Sequence, residues 1–341
     1  MVRNLQYFYS AFFVTIISII VAIVLFPQQN FYTFYIIITL AVLEISLSFD
    51  NAVINARVLA NMPLKWQKLF IWIGLPIAVF GMRLVFPILL VTLTTTFSFL
   101  EVFTLAINNP MAYESALQVG LPSIFAFGGG FLMMVSLKFF LVEVHKIVWI
   151  KWIEQNRLLL LFRKYRVSPV FLALIVGGII FYTVPESDHI RIFMAFLVGV
   201  MIHEIFSLLS RLFNHNAAGK FAQNGLIGFI YLEVLDASFS LDGVIGAFAI
   251  SRHIFIIMIG LGIGAMYVRA LTLFFIHHKT LTKFQYLEHG AHYAIGFLAM
   301  VMLIKINIHV PEFITALVSI SLIIAALIHS VVAKRKAVIS H

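Results

Sequence analysis

The sequence contains no cysteine and few charged residues. Without cysteine the chain can form no disulfide, thiolate metal ligand or cysteine nucleophile. Only 11% of the 341 residues are charged and 62% are hydrophobic, whereas a soluble domain carries about 25% charged residues. The chain also lacks the Walker phosphate-binding motif and the His-Glu-x-x-His motif of zinc proteases. The composition therefore predicts a polytopic membrane protein that is not driven by nucleotide hydrolysis.

The apolar residues form ten runs that we interpret as transmembrane spans. The first run is not followed by a small-residue cleavage pattern, so we interpret it as a span rather than a signal peptide. Segment 145–167 mixes six bases with tryptophans and leucines, which predicts an amphipathic segment on the membrane surface. The predicted spans cover about residues 7–26, 31–56, 69–95, 122–142, 168–184, 190–212, 224–250, 254–276, 288–309 and 312–333.

The basic residues are distributed unevenly between the two sides that ten spans would create. Seventeen Lys and Arg residues fall on the side of the amino terminus, three fall on the other side and three lie within spans. The positive-inside rule then places both termini in the cytoplasm. This asymmetry accounts for the formal charge of +9. The predicted partner is the lipid bilayer, with no nucleic acid, and the oligomeric state stays open.

One polar motif occurs twice inside apolar runs. Residues 44–50 read Glu-Ile-Ser-Leu-Ser-Phe-Asp, and residues 236–242 read Asp-Ala-Ser-Phe-Ser-Leu-Asp. In an extended backbone, with its period of two, the four polar side chains of each motif would point one way. In a continuous helix they would lie on opposite sides. Unwound backbone within a membrane occurs where it lines a cavity, so the pattern predicts a broken helix at both motifs.

Other matching positions extend this duplication. A glycine precedes Arg83 and Arg269 by nine residues in both cases, and similar Gly-Phe-Leu stretches precede Lys138 and Lys305. Spans two to four thus match spans seven to nine, and an offset of five spans reverses the orientation of the second half. The sequence predicts a single all-α membrane domain, 1–341, built as a five-plus-five inverted repeat of residues 7–184 and 190–333.

The polar residues within the motif spans are candidate cation ligands, because charges inside a membrane are costly and usually functional. A structural polar network is the alternative. The two motif spans contain five acids, and we interpret Arg83 and Arg269 as their counter-charges. The remaining excess of three negative charges favours a divalent cation and would repel an anion. The ligands predicted from the motifs are Glu44, Ser46, Ser48, Asp50, Glu233, Asp236, Ser238, Ser240 and Asp242.

Two histidine-containing stretches form a second group of candidates. The pair at 203–204 lies deep in span six, and residues 288–292 read Glu-His-Gly-Ala-His at the start of span nine. Such residues could relay protons or form an accessory metal site, but structural interface histidines would give the same pattern. The candidates are His203, Glu204, Glu288, His289 and His292.

Three stretches together resemble the TerC-like integral membrane proteins, and most closely a branch known only as a domain of unknown function. They are residues 43–53, 239–244 and 287–292. The resemblance covers about residues 30–306. It implies a group first named for tellurium resistance, with relatives linked to export of manganese and related divalent cations. By this resemblance Glu44, Asp50, Asn51, Asp236 and Asp242 would form the ion-binding set. The resemblance also implies that the protein lies in a bacterial inner (cytoplasmic) membrane.

We therefore expect a secondary transporter, not an enzyme, that exports a divalent cation through a site between inverted repeats. Carboxylate and hydroxyl oxygens suit Mn²⁺, Ca²⁺ and Mg²⁺, and nearby histidines favour Mn²⁺. The cation is a substrate, and no permanently bound cofactor is expected. The two alternatives are an intramembrane metal-dependent hydrolase and a membrane stress-response scaffold of the tellurium-resistance type.

Overall fold

The computed structural model describes residues 6–25, 30–143, 147–184, 186–213, 225–251 and 253–339, and every regular element in these ranges is helical. Shorter helical turns connect some of the longer helices. The helices are α1 Tyr9–Leu25, α2 Asn30–Leu47, α3 Phe49–Ala60, α4 Leu64–Trp72, α5 Phe86–Thr94, α6 Phe99–Asn108, α7 Pro110–Leu141, α8 Arg157–Lys164, α9 Pro169–Thr183, α10 His189–Phe213, α11 Gly225–Ile250, α12 Ile254–His277, α13 Leu287–Lys305 and α14 Glu312–Ile339.

Several of these helices are suited to a membrane. Within the described residues, six helical segments are long and apolar enough to cross one, and the bent pair α2 and α3 would make a seventh span. Five of the six each correspond to one long α-helix, and the sixth is the helical segment Ile77–Thr94, which ends with α5. This indicates a multi-pass helical membrane protein. The other three predicted spans correspond to α1 and α9, which are shorter apolar helices, and to α11, which carries three acids. The count of ten spans and the inverted repeat therefore remain predictions.

The first motif breaks its helix, but not in the way that the sequence analysis predicts. The helix axis bends by 54° between α2 and α3, at Ser48. Helical hydrogen bonds nevertheless continue across the bend, from the Ser48 amide to the Glu44 carbonyl and from the Ala52 amide to the Ser48 carbonyl. The expected extended backbone is wrong, because it would leave several amides and carbonyls unpaired inside an apolar bundle.

The second motif is not broken at all. Helix α11 runs without interruption from Gly225 to Ile250, so the prediction of a second broken helix is wrong. Within it, the Ser238 hydroxyl donates to the Val234 carbonyl at 3.0 Å, a bond that a helix accommodates easily. Ser238 thus finds a partner without unwinding of the backbone.

The segment that carries Arg83 departs from α-helical geometry. After the turn Gly74–Pro76 the chain forms a π-helix from Ile77 to Val85 and then continues as α5. Proline has no amide hydrogen to donate and its ring disfavours a regular helix, so Pro76 and the proline at position 87 bracket the wider π-helical turns. Such turns are frequent at functional sites. Here they place Arg83 in the interior of the bundle.

The packing of the long helices brings the two halves of the chain together. Helix α2 packs on α12, and α7 packs on both α10 and α13. Helices α7 and α13 run antiparallel, since Gly129 faces Leu303 whereas Ser136 bonds to the His292 carbonyl. Helix α11 also packs on α2 and α3, so the two motif helices face each other inside one helical core.

The surface segment after α7 is only partly as predicted. Residues 145 and 146 lie outside the described ranges, and the rest forms the turn Lys151–Glu154 followed by α8. Helix α8 is amphipathic, with Leu158 and Leu161 exposed. Glu154, in contrast, is 2% exposed and accepts a bond from the Tyr293 hydroxyl, so this turn is anchored to α13. Helix α6 is an additional element that the sequence analysis did not predict.

Candidate functional site

A small cavity lies where the first motif helices meet α11, α12 and the π-helix. The cavity has a volume of about 20 Å³. About 10–15 Å³ suffices for one water molecule, so the cavity could hold one water or one small ion. Its lining combines acids, amides, a hydroxyl and arginines with apolar residues. The lining residues are Glu44, Ser48, Asn51, Asn55, Ala78, Met82, Arg83, Asp236, Ala265, Val268 and Arg269.

Glu44 is the acid of the first motif that faces this cavity. It is 2% exposed, and its Oε1 forms an ion pair with Arg83 and accepts a hydrogen bond from the Ser48 hydroxyl at 3.0 Å. Its Oε2 accepts no hydrogen bond from any described group. A buried carboxylate oxygen normally has a partner, so this atom is available for a ligand.

Two glycines allow the helices of the second half to approach Glu44. A Cβ atom on Gly264 would lie 2.5 Å from the Glu44 Cβ, and one on Gly243 would lie 2.8 Å from Oε2. Gly243 directly follows the second motif, as Asn51 directly follows the first, so the two positions match. The second motif therefore offers Glu44 no amide, which accounts for the oxygen without a donor.

Asp236 is the acid of the second motif that faces the cavity. Its Oδ1 accepts hydrogen bonds from the side-chain amides of Asn51, at 2.8 Å, and Asn55, at 2.7 Å. A carboxylate can only accept, so both amides must direct their nitrogen toward it. Their oxygens then point elsewhere and accept no hydrogen bond from described groups. Asp236 thus joins α3 to α11 and orients two further oxygen ligands.

Asn55 was missed by the sequence analysis. It is 2% exposed and lies one helical turn after Asn51, on the same face of α3. This spacing of two amides on one face of a helix was the available signal. An amide has no charge and Asn55 has an alanine as its counterpart in the second motif, so neither rarity nor repetition identified it.

The two arginines form equivalent contacts in the two halves of the chain. Arg83 pairs with Glu44, and Arg269 lies 3.5 Å from the Asp236 Oδ2. Each guanidinium also donates to a backbone carbonyl, Arg83 to Ala78 and Arg269 to Phe70. Arg269 stands over the Phe70 ring, 4.3 Å from its centroid. Both arginines are therefore fixed in place beside one motif acid.

Glu233 lies behind Arg269 rather than in the cavity. Its Oε1 is 3.7 Å from the Arg269 guanidinium, and both of its oxygens lack a hydrogen bond from described groups. Gly74 packs directly against this pair, since a Cβ there would lie 2.7 Å from Oε1. Glu233 thus adds negative charge around Arg269 without contributing to the cavity wall.

The remaining motif residues are not brought to the cavity. Asp50 is 1% exposed, and its Oδ1 accepts a hydrogen bond from the Asn51 backbone N–H at 3.0 Å. Its Oδ2 accepts no hydrogen bond from described groups. Ser46 is half-buried, while Ser238 and Ser240 are buried away from the lining. The Asp242 side chain lies outside the described part of the chain.

The described residues contain no group of three or more His, Asp or Glu side chains that could hold a metal ion. In this conformation a cation in the cavity would instead meet a mixed set of carboxylate, amide and hydroxyl oxygens. Such oxygen ligands suit hard cations, which also retain water molecules readily. The cavity is therefore a candidate for a weakly held ion rather than a structural metal centre.

The histidine-containing stretches lie apart from this cavity, near one end of the bundle. Glu288 forms an ion pair with Arg57, and the His292 Nε2 is 3.2 Å from the same guanidinium. The His289 Nε2 lies 3.5 Å from the buried Glu154 carboxylate. These contacts link α13 to α3 and to the turn at Lys151–Glu154. No residue of the 288–292 stretch lines the cavity.

The second histidine stretch belongs to the same end of the bundle. Glu204 lies 3.1 Å from the Lys138 ammonium and 3.6 Å from the His203 Nδ1. The aromatic ring of Phe131 packs edge-on against His203. These contacts join α7 to α10, and this pair also lies outside the cavity lining.

Comparison with known proteins gives a family. A family model described as a protein of unknown function (DUF475) matches residues 49–337, which include the second motif and begin after Glu44. No curated protein and no solved structure matches the chain. The match spans most of the sequence, and the chain belongs to the DUF475 family.

Proposed function

We propose that the protein is a secondary transporter that exports a divalent metal cation, with Mn²⁺ as the favoured substrate. The observation that carries this proposal is the cavity between α3 and α11, together with its unpaired oxygens. Glu44 Oε2, Asn51 Oδ1 and Asn55 Oδ1 are buried and accept no hydrogen bond from described groups. Buried acceptors without donors are costly, and a cation would satisfy them.

The charge near the cavity also favours a cation. The described acids Glu44, Asp50, Glu233 and Asp236 are all buried or nearly so, while Arg83 and Arg269 are the arginines beside them. If all these groups are ionised, two negative charges remain uncompensated, which one divalent cation would balance. An anion would meet repulsion from the carboxylates.

The choice among divalent cations rests on two kinds of argument. The oxygen ligands suit Mg²⁺, Ca²⁺ and Mn²⁺ alike. The histidines that favoured Mn²⁺ in the sequence analysis belong to a different cluster, so they do not support that choice at the cavity. The preference for Mn²⁺ and for export therefore rests on the resemblance to TerC-like proteins.

The equivalent contacts of the two halves support a transport mechanism. In each half, the acid that begins the motif pairs with the arginine of the following predicted span. Glu44 pairs with Arg83, and Asp236 pairs with Arg269. Inverted repeats that meet at a central site move ions by rocking one repeat against the other. The absence of a Walker motif in the sequence favours ion or potential gradients as the energy source.

Metal flux into proteoliposomes tests the proposal. We expect saturable uptake of Mn²⁺, with competition by Ca²⁺ and Mg²⁺ ranking the ions, and loss of uptake in Asp236→Asn. Asp188→Asn provides the matched control, because the Asp188 side chain is 38% exposed and pairs with Arg191, whose side chain is 40% exposed. Folded protein that moves none of the three ions would rule out divalent-cation transport and give priority to the hydrolase alternative.

A further inference from the structure

A larger pocket lies next to the small cavity, and α3 forms a wall of both. The pocket has a volume of about 440 Å³ and is lined at its outer part by Asn61, Lys279 and Leu281, in the connections between helices. Deeper in, it is lined by Ile54 and Arg57 of α3. Asn55, on the same helix, lines the small cavity. The pocket therefore approaches the candidate cation site from the end of the bundle that carries Arg57, Lys138 and Lys279. We call this end the basic end.

Arg57 holds α3 to two other helices at this pocket. Its guanidinium forms ion pairs with Glu143, directly after α7, and with Glu288, in the first turn of α13. It also stands over the Phe139 ring, 5.2 Å from the centroid. All three charged side chains are partly exposed, at 27%, 37% and 31%. One arginine on the broken helix thus joins it to both halves of the chain.

His292 adds a directional contact to this cluster. Its Nε2 lies 3.2 Å from an Arg57 nitrogen, and its Nδ1 lies 2.8 Å from the Glu288 carbonyl oxygen. A guanidinium can only donate, so Nε2 accepts and Nδ1 donates. The His292 ring also stacks on Phe139, with 3.7 Å between the ring centroids. The position of Arg57 is therefore fixed by charge, hydrogen bonding and ring contacts together.

The helix that carries Arg57 can pivot at its other end. The 54° bend at Ser48 separates α3 from α2, and Ser48 makes no side-chain cap bond to α3. Arg57 lies about 13 Å from this bend at 1.5 Å per residue. Between these ends, Asn51 and Asn55 bond to Asp236 on α11. Breaking the ion pairs therefore releases the Arg57 end of α3, while the part nearer the bend stays anchored.

We propose that Arg57, Glu143 and Glu288 form an ionic gate between the pocket at the basic end and the small acidic cavity. This inference deepens the proposed transport function and depends on it for its biological role. When the gate is closed, Arg57 bridges both carboxylates and holds its end of α3 over the cavity. When Arg57 is released, its end of α3 moves away, and Glu143 and Glu288 attract a hydrated divalent cation into the pocket.

The absence of cysteine permits a direct test by thiol labelling, because a single introduced cysteine reacts without background. Ala265 is 5% exposed and lines the cavity, so Ala265→Cys reports access to it. We expect slow reaction with a hydrophilic thiol reagent in otherwise unchanged protein in liposomes. Adding Arg57→Gln should accelerate the reaction at least about tenfold, the ratio that ~1.4 kcal/mol produces.

Two further variants show whether the charge or the packing of Arg57 is responsible. Arg57→Lys keeps the charge but lacks the planar fork that reaches two carboxylates, so an intermediate rate is expected. Arg163→Gln is the matched control, since Arg163 donates to the Phe140 carbonyl at the same end of the bundle without joining the gate. Its labelling rate should equal that of the parent Ala265→Cys protein.

The outcomes separate the gate from the transport function. Unchanged labelling in folded Arg57→Gln protein overturns the gate, whether or not the protein moves metal. If Arg57→Gln does not fold, Glu288→Gln provides the same test, because it leaves Arg57 paired with Glu143 and should raise the rate by a smaller factor. If Arg57→Gln accelerates labelling and none of Mn²⁺, Ca²⁺ and Mg²⁺ slows it, the gate is supported and the cation site is contradicted.

Discussion

Asn55 and Asp236 are joined by a 2.7 Å hydrogen bond that connects the broken helix of the first motif to the helix of the second. The bond fixes the orientation of the amide, because the carboxylate needs the nitrogen as donor. As a result the Asn55 oxygen is available toward the rest of the site. The same relationship holds for Asn51, so one acid positions two neutral oxygens.

Replacing Asn55 tests whether its amide contributes to the site. We expect Asn55→Leu to lower the free energy of unfolding by about 1.5–3 kcal/mol, the usual loss for a hydrogen bond to a charged group. The variant also loses one oxygen ligand, so Mn²⁺ affinity should fall about tenfold, or ~1.4 kcal/mol. Thermal unfolding in detergent and metal titration measure the two effects. Asn307→Ala, which removes an exposed amide that bonds to the Thr183 hydroxyl, should leave the Mn²⁺ affinity unchanged and lower the free energy of unfolding by less.

The buried pair of Glu44 and Arg83 should show strong coupling. Its side chains are 3% and 4% exposed, so removing one partner leaves the other charge buried without compensation. Glu44→Gln should therefore destabilise the protein by about 3–5 kcal/mol. Adding Arg83→Gln should restore part of that loss, which a double-mutant cycle of unfolding midpoints measures. Additive effects of the two substitutions would show that the ion pair does not contribute.

The close approach of α12 to Glu44 predicts a steric effect. A Cβ on Gly264 would lie 2.5 Å from the Glu44 Cβ and 2.8 Å from the Ala41 carbonyl oxygen. Gly264→Ala should thus cost about 1–3 kcal/mol of stability, as overpacking does, and should reduce metal uptake. Gly178→Ala is the matched control, because no atom lies within 4 Å of its added Cβ. That control should be neutral or slightly stabilising, since alanine favours helix.

Arg269 should not tolerate lysine. Its guanidinium contacts the Phe70 carbonyl, the Phe70 ring and Asp236 at the same time. An ammonium group cannot reproduce this planar arrangement, so Arg269→Lys should lose about 1.5–3 kcal/mol. The control is Arg191→Lys, because Arg191 forms an exposed ion pair with Asp188. The unfolding midpoints of the two variants are compared. Equal midpoints for the two variants would contradict the role of the fork geometry.

Much of the candidate site could be predicted because charge is rare in this sequence. Glu44, Arg83, Asp236 and Arg269 stand out against apolar surroundings, and their repetition indicates that they act together. The structure places all four around one cavity. Asn55 could not be identified in this way, since an uncharged amide inside a membrane helix is less costly than a charge.

The backbone at the motifs was harder to predict than the residues themselves. The sequence pattern is equally compatible with an extended strand and with a helix whose polar groups find partners elsewhere. Asp236 finds such partners on α3 and α12, which are distant in sequence, and so α11 stays continuous. The role of Glu288 in an ion pair with Arg57 is invisible for the same reason, because 231 positions separate the two residues in the chain.

The most direct test of the central claim is to measure Mn²⁺ binding to the purified protein by electron paramagnetic resonance. The spectrum of free Mn²⁺ weakens as the ion binds. Binding to the cavity predicts saturable loss of the signal, reversed by excess Ca²⁺ or Mg²⁺. It also predicts at least about tenfold weaker binding in the double variant Asn51→Leu with Asn55→Leu, and unchanged binding in Asp188→Asn. Absence of saturable binding, or equal binding by the folded double variant, would contradict a cation site between α3 and α11.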